Sequence, residues 1–183
     1  MTNPRFEISL MTNTSKMKNN IQLKPVRLLL LVFIVCLFLS GLTAIPIDYE
    51  LTLLQPFFPN TTWVGYWINE VHAAYNDVSG QHAFLLYGYD WLAFAHIILA
   101  ILFIGAWRDP VRNIWVIQFG MISCFLVFPF AFVAGSARGI PIGWRLIDCS
   151  FGFFGALLLG RVLFMLRNDK SYQNSVSTQI TNA

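Results

Sequence analysis

Hydrophobic positions along the chain fall into four long blocks. The first runs from Leu28 to Ile45 and stops at Pro46; the second runs from Trp91 to Trp107, with an earlier start at Phe84 also open. The third covers Ile114 to Ala134 and the fourth Leu146 to Leu166. Each meets the ~17–25 mostly apolar residues that a helix needs to cross a bilayer, so the pattern predicts four spanning helices. Charges inside them are sparse: Asp90 near the start of the second, Asp148 and Arg161 in the fourth. Trp107, Trp115 and Trp144 stand at block ends, where amphipathic rings favour the headgroup level.

Between the first two blocks the period changes. From Trp63 to Val78 apolar residues recur at Val64, Trp67, Ile68, Val71 and Tyr75, a helical spacing that leaves Asn69, Glu70, His72, Asn76 and Asp77 largely on other faces. Pro56 and Pro59 break the chain ahead of this stretch, and Asn60-Thr61-Thr62 offers capping side chains. An amphipathic helix at the outer interface, or covering the ends of a bundle, is the expectation; a lid over a cavity is its functional alternative. The same triplet is a glycosylation sequon, which matters only in a eukaryotic host.

Composition sharpens the class. Of 183 residues, 56% are hydrophobic, 16% aromatic and 11% charged, against ~25% charged in soluble domains. Too little polar surface remains to coat a soluble globule, and disorder or a disulfide-stapled scaffold is equally excluded. Cys36, Cys124 and Cys149 lie in apolar runs with no C-x-x-C and no metal-ligand spacing, so they read as small hydrophobes and no metal is expected. The fold class is an all-α integral membrane protein. Four transmembrane helices form a bundle, with an amphipathic interfacial helix in the first extracytoplasmic loop.

Basic residues orient it. Arg5, Lys16, Lys18, Lys24 and Arg27 precede the first block, Arg108 and Arg112 link the second and third, and Arg167 and Lys170 follow the fourth. Arg138 and Arg145 stand on the other side, and the long 46–90 link has neither Lys nor Arg. Lys/Arg excess marks the cytoplasmic side, so both termini are expected there, with a bacterial inner membrane as the default location. Leu42, three residues before a cut after Ala44, disfavours a cleaved signal peptide and favours a retained anchor. Polar residues 1–26 and 169–183 are expected to be flexible cytoplasmic tails around a 27–168 membrane domain.

Small residues indicate how the helices pack. Gly152, Ala156 and Gly160 form a stripe on the fourth block, Gly120, Cys124, Val127, Ala131 and Ala134 a comparable face on the third, and Ala93, His96 and Ala100 share a face of the second. Such residues let backbones approach closely in lipid. The stripe on the fourth block equally suits a second copy or a membrane partner. Pro129 is expected to kink the third helix and free a carbonyl near Phe125.

Ionisable groups inside a membrane are costly, which makes them candidates for a site. His96 lies about five residues, ~8 Å, below the outer end of its helix, and Asp148 lies at a similar depth. If the small faces meet, the two would reach hydrogen-bond range, and Asp90, Arg138 and Arg145 belong to the same outer layer. The structural alternative has Arg145 and Asp148, three residues apart, neutralising each other, Arg161 snorkelling, and Arg108-Asp109 merely opening a turn before Pro110.

Two function classes follow. A non-catalytic assembly protein accounts for the small faces and the lack of a catalytic motif. Alternatively, a membrane enzyme or binding protein for a lipid, isoprenoid or quinone would use the polar layer around His96 and Asp148. No cofactor is expected: haem needs axial ligands from facing helices, and His72 and His82 lie in the outer loop. The bilayer itself is the expected partner, nucleic acid is not, and transport by four spans without a repeat would need oligomerisation.

Overall fold

A computed structural model describes residues 23–168 as helices joined by turns, with no strand among the described residues. The apolar blocks become α1 (Leu23–Ala44), α4 (Ala83–Arg108), α5 (Ile114–Ala137) and α6 (Ile142–Arg167). Between α1 and α4 the chain forms α2 (Ile47–Leu54), a 3-10 turn (Gln55–Phe57) and α3 (Trp63–Gln81). The four long helices have 22, 26, 24 and 26 residues and are apolar enough to cross a membrane. At 1.5 Å per residue they are longer than a ~30 Å hydrocarbon core. The chain has the build of a small multi-pass membrane protein. The expected polar tails lie outside the described residues, apart from 23–26.

Boundaries differ from the sequence reading where local chemistry extends a helix. The first helix begins at Leu23 rather than Leu28, because Pro25 sits in the first turn, where a missing N–H costs nothing, and Val26 is buried. The earlier start of the second block is the right one, since α4 runs unbroken from Ala83. Pro129 lies inside a continuous α5, and α6 starts directly after Pro141, taking Trp144 and Arg145 into the helix.

The described residues form two compact units, 34–102 in one and 23–33 with 103–168 in the other. In the second of these, α5 and α6 pack along their length. The buried positions on α6 are Cys149, Gly152, Gly155, Leu159, Val162 and Leu166, spaced by three or four residues. A Cβ on Gly152 would stand 2.7 Å from the Cys124 carbonyl oxygen, and one on Gly155 2.7 Å from Cys124 Sγ. Gly160 faces Met121 of α5, while Ala156 is half-buried. The small residues of α6 thus pack against α5 of the same chain. Gly120 admits Phe103 and Leu159, and Phe103 meets Phe33 with ring centroids 4.7 Å apart. Val26, Leu30 and Ile117 complete this buried layer.

Polar groups close the helix ends here. Arg27 donates from Nη2 to the Arg108 carbonyl at 3.1 Å, and Asn113 Nδ2 donates to the Gly105 and Asp109 carbonyls at 3.1 and 3.0 Å. The bonds to Gly105 and Arg108 satisfy two of the last carbonyls of α4. Asp109 Oδ1 accepts from the Arg112 backbone N–H at 3.2 Å, so Arg108-Asp109-Pro110 is the turn its sequence suggests.

In the 34–102 unit, the small face of α4 meets α1. A Cβ on Gly41 would stand 2.6 Å from the Ala93 carbonyl oxygen and 3.0 Å from His96 Cβ. The segment between α1 and α4 folds on itself: Leu51 and Ile68 are buried, and Gly65 sits under the Phe58 and Pro59 carbonyls with no room for a side chain. Thr62 caps α3, its hydroxyl oxygen accepting from the Gly65 N–H at 3.0 Å, as the capping triplet predicts.

Candidate functional site

The connection between α5 and α6 creates a groove at one end of the hairpin. Gly139, the one described residue with a left-handed φ (+68°), ends α5. The Ile140 N–H reaches back to the Gly135 carbonyl at 2.8 Å and the Gly139 N–H to the Ser136 carbonyl at 3.2 Å, the paired bonds of a glycine-terminated helix. Pro141 then starts α6. This reversal presents the Ile140 carbonyl and the Ser136 hydroxyl to Arg145, which donates to them from Nε and Nη1, each at 2.7 Å. Gly135 makes room: a Cβ there would stand 2.9 Å from the Arg145 Cδ and Nε atoms.

The groove beneath has a volume of about 340 Å³. Val127, Phe130, Ala131, Ala134, Gly135 and Ile140 form its apolar wall; Arg138, Arg145 and Asp148 supply its charge. Arg145 and Asp148 form no salt bridge, contrary to the expectation of mutual neutralisation. The pull of Ser136 and Ile140 on the guanidinium explains why. The side chains of Arg138 and Asp148 are exposed and have no hydrogen-bond or ion-pair partner among the described residues. Three of the five residues singled out in the sequence therefore line one cavity.

The other two belong to the 34–102 unit. The His96 ring is half-buried, and its Nδ1 donates to the Leu92 carbonyl at 2.8 Å, one turn back on the same helix. That bond places the proton of the neutral ring on Nδ1 and satisfies much of its polar demand within α4. Asp90 borders a shallow aromatic hollow with Tyr87, Trp91 and Phe94.

A second polar constellation escaped the sequence reading. Asp48, Thr52 and Gln55 on one side face Asn69 and His72 of α3 on the other. His72 Nε2 lies 3.0 Å from Asp48 Oδ1 and Nδ1 lies 2.8 Å from Gln55 Nε2, which also donates to Asn69 Oδ1 at 3.0 Å. Asn69 Nδ2 donates to the Gly65 carbonyl at 2.7 Å and to Asn60 Oδ1. The Gly65 carbonyl can only accept, and this fixes the direction of the whole chain of bonds. Asn69 presents nitrogen to Gly65 and oxygen to Gln55; Gln55 presents N–H to His72 Nδ1; and Nε2–H of His72 donates to Asp48.

Asn69 and His72 therefore lie on the packed face of α3, not opposite it. Gly65, Ile68, Asn69, His72 and Tyr75 recur at helical spacing on the covered side of α3, which Trp67, Val71 and Val78 widen. Asp48, Leu51, Thr52 and Gln55 repeat at helical spacing on their own segment, the one signal in the sequence that points to a shared face. Among the described residues no group of three or more His, Cys, Asp or Glu is placed to hold a metal ion. The chain matches no family profile, no curated protein and no solved structure.

Proposed function

We propose that this chain is a non-catalytic binding protein of the bacterial inner membrane. Its helices assemble as a bundle with both termini cytoplasmic, and the α5–α6 groove holds a small amphiphile in the outer leaflet. The observation that carries this reading is the coexistence, in one cavity of about 340 Å³, of an apolar wall and two side chains of opposite charge with no partner among the described residues. That volume falls within the ~300–1,000 Å³ of small-molecule sites, and the mix of apolar lining with a few polar groups is what such sites use. Assembly through the Gly152–Ala156–Gly160 stripe is the weaker reading, since α5 of the same chain already packs on Gly152 and Gly160.

The test is retention of amphiphile by the purified full chain in native nanodiscs, read by mass spectrometry. Ala134→Trp fills the groove while leaving the helix intact. Loss of a stoichiometric copurifying amphiphile in this variant, with helical circular dichroism unchanged, is expected; equal retention by both proteins contradicts the reading.

A further inference from the structure

Of the three charges at the groove, one is occupied. Arg145 spends Nε and Nη1 on the Ile140 carbonyl and the Ser136 hydroxyl, which makes it a strut bracing the α5–α6 connection. Arg138 and Asp148 remain, opposite in sign, lining the same cavity, and unpaired with each other. An ion pair would be the cheap solution for two such groups at a membrane boundary. Two charges of opposite sign that line one cavity without pairing suit a bound group that carries both signs. Asp148 lies in the second turn of α6, and helical side chains lean toward the helix N-terminus, so its carboxylate rises toward the rim where Arg138 ends α5. Both charges line the cavity, and Phe130, Ala131 and Ala134 give it an apolar wall suited to a hydrocarbon chain.

Resting on the groove reading above, we propose that the occupant is a zwitterionic phospholipid with a primary ammonium. Its phosphate pairs with Arg138, its ammonium N–H groups donate to Asp148, and an acyl chain runs along the α5 wall. A purely anionic head would satisfy Arg138 and leave the carboxylate facing a like charge. A quaternary ammonium would bring charge to Asp148 but no N–H donor.

The full chain is reconstituted in nanodiscs of equimolar phosphatidylethanolamine, phosphatidylcholine and phosphatidylglycerol, then extracted and analysed for retained lipid. Wild type is expected to enrich phosphatidylethanolamine over phosphatidylglycerol roughly fivefold, the upper range for an exposed charge pair. Asp148→Asn is expected to keep the bound lipid but bring that ratio near unity, and Arg138→Gln to reduce retention of all three. Equal retention of the three lipids by wild type, or an unchanged ratio in Asp148→Asn, overturns the headgroup assignment while leaving lipid binding that Ala134→Trp abolishes intact. Absence of any retained lipid in wild type overturns the groove reading together with this one.

Discussion

Asn69 anchors the segment between α1 and α4 through a single side chain that makes three hydrogen bonds, to Gln55, Asn60 and the Gly65 carbonyl. Truncation to alanine strands Gln55 and, through it, His72. Asn69→Ala is expected to lower stability by about 1–2 kcal/mol in thermal unfolding of the detergent-solubilised chain, with faster proteolysis around Pro59. Glu70→Ala, at an exposed neighbouring position, is expected to stay within about 0.5 kcal/mol. Nitrogen NMR of labelled histidine offers a sharper check, because the bond directions require the neutral His72 ring to carry its proton on Nε2. A proton on Nδ1 would contradict them. The histidines also show where sequence reasoning stops. His96 was conspicuous because it interrupts an apolar block, yet its Nδ1 bonds one turn back in its own helix. His72 was inconspicuous because Asp48, 24 residues away, is brought to it only by the fold of the segment.

At the scale of helices, hydropathy made the four long elements legible, since a bilayer selects length and apolarity and little else. Partner choice was less so. Small residues on the fourth block marked it as a packing surface, but the buried set follows Gly152, Gly155 and Leu159 rather than a strict step of four. Only the α5 surface decides which of the glycines is covered. Two glycine variants separate close packing from propensity. Gly152→Leu must push α6 away from the Cys124 carbonyl and is expected to cost about 1–3 kcal/mol in thermal unfolding. Gly105→Ala meets open space in α4 and is expected to be neutral or to stabilise by up to about 1 kcal/mol. The destination of Arg145 was hidden for a related reason. The reversal at Gly139 sets a carbonyl and a hydroxyl beside the guanidinium, and nearness in sequence to Asp148 loses to that geometry.

For the whole molecule, the proposed binding role depends on which face of the membrane each helix end meets. Basic residues cluster at the start of α1, around the α4–α5 turn and at the end of α6, while the 46–90 link lacks them. Under the proposed topology this asymmetry sets the α5–α6 connection and the 46–90 link on the extracytoplasmic side, and the proposed groove ligand belongs to the outer leaflet only on that topology. The most direct measurement is labelling of single-cysteine variants in spheroplasts with a membrane-impermeant maleimide, the native cysteines replaced by alanine. Ala74→Cys on α3 and Ala137→Cys beside the groove, both at exposed positions, are expected to react in intact spheroplasts, and Ser175→Cys only after lysis. Reaction of Ser175→Cys before lysis, or protection of Ala137→Cys until lysis, would contradict the proposed topology and the outer-leaflet groove with it.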